Sequence, residues 1–121
     1  MDGTGWHIDG MLLRNKTGIG RFSILVGIVL SEWKADFMGN FTAYPRSHNV
    51  ITQLLQQQGM EEFMKRQNDL STRYNWDTSS NNKIKPKQII ASPGDIILCH
   101  PFLAHRVAPN HSDNIRYGVF M

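Results

Sequence analysis

The 121-residue sequence predicts a mainly β domain, a sandwich or barrel of short strands interrupted by one helical insertion. Three observations carry that expectation: short apolar runs rich in β-branched residues, turn signals between them, and a single stretch with helical spacing. With 40% of its residues hydrophobic, a chain of this length can bury a modest core, and one domain spanning residues 1–121 is expected.

The run "RFSILVGIVLSEW" lies between glycine-bearing turns and is too short and too β-branched to favour a helix, so it reads as a buried strand. "GNFTAYP" reads as a second, shorter strand. Ser47 and Asn49 follow as candidate helix caps. Beyond them "VITQLLQQQGMEEFMKRQ" sets Val50, Ile51, Leu54, Leu55, Phe63 and Met64 near helical spacing, with Gly59 as a break. Residues 77–87 are polar and reach Pro86, as a surface loop would. In "KQIIASPGDIILCHPFLAH" two apolar runs hinge on Pro93-Gly94, a pair suited to the two central positions of a turn whose second residue has positive φ. "IRYGVFM" closes the chain as a final strand, and no repeat or low-complexity tract interrupts the series.

The formal charge of +3 and pI near 9.2 come from dispersed residues such as Arg14, Lys34, Arg46, Lys65 and Arg73. No nucleic-acid motif accompanies them, so a solvated, mildly basic surface is expected and no nucleic-acid partner. No apolar run approaches the roughly 20 residues that a membrane helix needs, which predicts a soluble protein without a membrane partner. The start "MDGTG" lacks the basic-then-apolar order of a secretory signal, and the single Cys99 excludes an internal disulfide. A reducing, cytoplasmic location is the expectation.

Chemistry enters with "WHIDG". On an extended segment, residues two apart project from one face at about 6 to 7 Å, so His7 and Asp9 can reach one ion while Ile8 points into the opposite layer. His-x-Asp alone is a weak signal. The far end of the chain, "HPFLAHRVAPNHSDNIRYGVF", adds His105, then a Pro-Asn turn, then Arg116 among apolar residues. Two histidines and a carboxylate, one pair close in sequence and one residue remote, are the donor set of a facial non-haem Fe(II) site that keeps positions open for reactants. Two neutral imidazoles and one carboxylate leave Fe(II) with a formal charge of +1, which suits chelation by one end of a dicarboxylate. Arg116 offers a planar fork for the other end.

These motifs resemble the phytanoyl-CoA dioxygenase family of Fe(II) and 2-oxoglutarate-dependent oxygenases over nearly the whole chain. The matching pieces are "WHIDG", "ILVGIVLSEW", "GNFTAYPRSH", the "PGD" turn and "HRVAPNHSDNIR". The resemblance implies a double-stranded β-helix, the jelly roll also found in cupins, with His7, Asp9 and His105 as iron ligands and catalytic residues. It implies Arg116 as the anchor of 2-oxoglutarate, with O2 as the second co-substrate and a small organic or lipid-like molecule as the substrate. Two departures stand out. Only six residues precede His7, where the family has a long region, so a jelly roll truncated at its N-terminus is expected; and "PRSH" carries Arg46 where the family has a turn glycine.

Several residues have competing readings. His100 is the alternative distal ligand, since cupin-like proteins place a histidine soon after a Gly-Asp turn; the family register favours His105. His48 and His111 read as turn residues. Trp6, Trp33 and Phe41 read as core, Asn110 and Ser112 as turn formers, and Cys99 as a small buried apolar residue. Thr42 offers a hydroxyl to bound 2-oxoglutarate or serves its strand. Besides the dioxygenase, two alternatives stay open: a catalytically silent jelly-roll binding module and a cupin-like metal protein using His100.

Overall fold

The computed structural model describes residues 5–9, 23–65 and 85–121. Within them the order is β1 (Leu25–Val29), β2 (Phe41–Ala43), α1 (Ser47–Gln58), α2 (Met60–Lys65), β3 (Lys87–Gln88), β4 (Ile96–Cys99), β5 (His105–Val107) and β6 (Gly118–Phe120). The expected polar loop at residues 77–87 falls largely outside the described residues, although Lys87 opens β3. The protein is mainly β, and among the described residues the helices fall in one insertion between β2 and β3.

The strands form two antiparallel sheets of three, a first in the order β4-β1-β6 and a second in the order β3-β2-β5. Beyond the free edge of β5, His7 and His105 exchange both backbone hydrogen bonds, at 3.0 and 2.9 Å. The extended segment around His7 therefore continues the second sheet. Alternation along each strand sends Leu25, Val29 and Cys99 from the first sheet, and Phe41 and Ala43 from the second, into one shared core with Trp33 and Ala91. A second core forms behind the second sheet, where Ile8 and Ala104 meet Ile51 of α1 and Phe63 of α2. Ile8 thus enters the layer opposite to His7, as the alternation predicts.

Local chemistry explains the joints. Asp95 N–H donates to the Ser92 carbonyl at 3.0 Å across Pro93 and Gly94, and Gly94 takes φ +97°, the positive value the Pro-Gly pair predicts. Gly59, at φ +78°, separates the two helices, its N–H donating to the Leu55 carbonyl. The start of α1 differs from expectation. Arg46 occupies the cap position in the left-handed region, φ +66°, and no side chain caps the helix. Ser47 is the first helical residue, and its buried Oγ accepts the Ala104 N–H at 2.8 Å, which ties the helix to the approach of β5. Mid-strand Gly27 lies opposite Phe120, whose ring fills the place a side chain at position 27 would take.

One further expectation is corrected: Arg116 lies two residues ahead of β6 rather than within the final strand. β5 and β6 belong to different sheets. The turn between them carries the chain from one sheet to the other, because β1 offers β6 a free edge while the second edge of β5 is taken by His7. Asn110 and Ser112 shape that turn as expected: Asn110 Oδ1 accepts from the Ser112 N–H and hydroxyl, and its amide donates to the Asn114 carbonyl. Among the described residues no helix is long and apolar enough to cross a membrane.

Candidate metal centre

His7 and His105 face each other across their backbone bridge, with rings 4.4 Å apart on the inner face of the second sheet. Each ring is oriented from behind by a main-chain carbonyl: Nδ1 of His7 lies 2.8 Å from the Gly5 oxygen, and Nδ1 of His105 lies 2.8 Å from the Leu103 oxygen. A carbonyl only accepts, so Nδ1 carries the proton, and in the neutral ring the lone pair sits on Nε2. Both Nε2 atoms point at one carboxylate. His7 Nε2 is 3.7 Å from Asp9 Oδ1, and His105 Nε2 is 3.4 Å from Asp9 Oδ2. The three ligand atoms lie within 4.8 Å of one another. Two lone pairs and a carboxylate aimed at one place repel unless a cation lies among them, either a proton or a metal ion.

The surroundings fit that charge balance. Where a proton is the cation, His105 Nε2–H donates to Asp9, and that bond holds the carboxyl below its ordinary pKa against the opposing effect of burial; the positive charges of the protonated His105 and His7 rings act in the same direction. Burial, reinforced by the negative charge of Asp9, pushes the Cys99 thiol up to about 11, so it stays protonated and fills space beside the cluster. His105 is buried, whereas His7 and Asp9 are half-buried, so the cluster opens toward solvent on the His7 side.

A wall of rings leads away from the cluster. Phe41 stacks on His105 at 4.9 Å and on Phe120 at 5.4 Å, and the Arg116 guanidinium sits over Phe120 at 5.4 Å and over Trp33 at 4.8 Å. Arg116 is the inward-facing residue of its segment, since neighbouring Ile115 and Tyr117 are exposed. Its Nε and Nη2 are buried without an acceptor, and burial lowers its pKa. With Gly39, Val107 and Asn110 it lines a cavity of about 380 Å3. Trp33 is fully buried as expected of core, yet its indole N–H also lacks an acceptor. This group of unmatched donors was legible in the sequence only through Arg116; nothing in the pattern marks an indole N–H as unpaired.

The remaining expected residues separate from the cluster. Thr42 pairs with Arg106 and Ala43 with His105, so Thr42 projects from the face of β2 opposite to the histidine; its hydroxyl donates to the Asn40 carbonyl at 3.2 Å. The structure does not bring Thr42 to the site. His100 packs against His48 at 5.1 Å, and its Nδ1 accepts the Phe102 N–H. Of the two distal candidates, His105 is the one grouped with His7 and Asp9. His48 belongs to α1 rather than to a turn, and His111 stacks on Phe37 in the turn where it was expected. Trp6 is half-buried against Tyr44 and beneath the Arg106 guanidinium, on the outer face. Searches against protein-family models, curated proteins and solved structures return no match.

Proposed function

We propose that the protein is an Fe(II) and 2-oxoglutarate-dependent dioxygenase built on a double-stranded β-helix and acting on a small organic or lipid-like substrate. One observation carries the reading: His7, Asp9 and His105 converge from two distant segments, with both imidazoles turned Nε2-inward by carbonyls at Nδ1. This is the two-histidine, one-carboxylate donor set of a facial ferrous site, with second partners that fix each ring's tautomer. The strand pairing supports the finer fold. His7 with His105, β1 with β4, and β2 with β3 are nested antiparallel pairs that alternate between the sheets, as in a long ribbon wound into a jelly roll.

Bound ferrous iron with 2-oxoglutarate would supply O2 activation and hydroxylation of an unactivated carbon, releasing succinate and CO2. The chain's own residues do the rest. Gly5 and Leu103 carbonyls keep the imidazole lone pairs aimed forward, and Asp9 supplies the single negative charge. Phe41 and Phe120 keep one wall free of water. Arg116, with unmatched donors above Trp33, takes the distal carboxylate of a short diacid in a bidentate grip.

Calorimetric titration of 2-oxoglutarate into the anaerobic Fe(II)-loaded chain tests the assignment. Arg116→Met should keep the metal and weaken the diacid by roughly 1.5 to 3 kcal/mol, on the order of 10- to 150-fold. Unchanged diacid affinity in Arg116→Met would reject the anchor.

A further inference from the structure

The first sheet is apolar on both faces. Its inner face carries Leu25, Val29, Cys99 and Phe120. On its outer face the register aligns Leu98, Val26 and Met121 in one row and Ile96, Ile28 and Val119 in the next, with Leu30 beside Tyr117 and Ile24 at the opposite end. None of these positions is polar or charged apart from the tyrosine hydroxyl. Continuous apolar strands of this kind belong to sheets covered on both sides, whereas a solvated face alternates with polar residues. Yet Ile24, Leu30, Ile96, Leu98, Tyr117, Val119 and Met121 are 43 to 67% exposed.

We infer that this face is the interface of a two-fold homodimer, in which the first sheets of two chains pack against each other. Three observations select a second copy. The seven exposed residues present on the order of 800 Å2, about what each partner contributes to a standard stable interface and more than the largest patch of a typical monomer. The face is an uncharged grid of aliphatic rows, so it is chemically complementary to itself; two such sheets pack about 10 Å apart with their side chains interleaved. The rim at the Leu30 end is polar and of mixed sign, with Glu32 bound to Lys34 at 3.4 Å and Asp95 alongside. That arrangement suits a protein partner, whereas an anionic lipid surface calls for a basic rim. The inference stands on the sheet alone and is independent of the metal centre.

Light scattering coupled to size exclusion on the full chain reads the mass directly. A discrete dimer at micromolar concentration is expected, with Leu98→Glu and the milder Leu98→Ser each weakening association by more than tenfold while circular dichroism is unchanged. In an otherwise native chain, Ile28→Cys should be captured as a dimer by a short thiol cross-linker, since Cys99 is buried. A monomer at micromolar concentration, polydisperse association, recovery on neutral vesicles instead of self-association, or a dimer indifferent to both Leu98 variants would each overturn the proposal.

Discussion

The two sheets face the same core and differ in what lies behind them. Behind the second sheet, α1 and α2 bury Ile8, Ile51, Phe63 and Ala104, and the outward positions of β2 and β5 include Thr42 and Arg106. Behind the first sheet no described element packs, and the outward positions are Val26, Ile28, Ile96, Leu98 and Val119. The covered face therefore accommodates polar side chains beside Ile8 and Ala104, whereas the uncovered face is aliphatic throughout β1, β4 and β6. The second sheet can afford a hydroxyl because Thr42 finds the Asn40 carbonyl, and its charged Arg106 rests on the Trp6 ring. The first sheet has no such partners, and its stable condition is contact with another apolar surface.

The largest difference should appear when each outer face loses one aliphatic side chain. Ile51→Ala empties a fully enclosed position behind the second sheet and should cost about 2 to 5 kcal/mol in chemical denaturation. Leu98→Ala on the first sheet should change the folding stability of the dissociated chain by no more than about 0.5 kcal/mol. Equal losses at the two positions would remove the distinction between a covered and an uncovered sheet. A smaller effect sits at the joint between the second sheet and its helices. Arg46 holds a left-handed conformation with no capping bond, so Arg46→Gly should relieve backbone strain; after the greater freedom of glycine in the unfolded chain is subtracted, a gain of about 0.5 kcal/mol is expected. A loss in that variant would show that the arginine side chain supports the turn.

The same contrast separates what was legible in the sequence from what was not. Strand positions, the Pro93-Gly94 turn and the Gly59 break follow from local preferences, and each appears in the structure. The pairing of His7 with Asp9 is also local, because strand alternation alone puts both on one face. Joining them to His105 needed a pattern match across almost a hundred residues; in the structure the two histidines meet across a backbone bridge. Long-range arrangement was harder to read. Thr42 and Arg116 both lie in apolar surroundings, and only the register reveals that Thr42 turns away from the cluster while Arg116 turns inward. Ser47 was expected to cap its helix; its oxygen goes to Ala104, a residue brought near by the fold. "ILVGIVL" announces a strand buried on both faces without naming the second layer.

On the inner face of the second sheet, His7, Asp9 and His105 are proposed to form one metal site. Thermal melting with anaerobic Fe(II) reads metal binding there, because a metal bound only by the native state at a hundred times its dissociation constant stabilises by about 2.7 kcal/mol, roughly 10 °C for a domain of this size. The native chain and His100→Ala should both show that rise, and His105→Ala should show none. A rise retained in His105→Ala and lost in His100→Ala would contradict the site and transfer the distal ligand to the histidine that packs against His48.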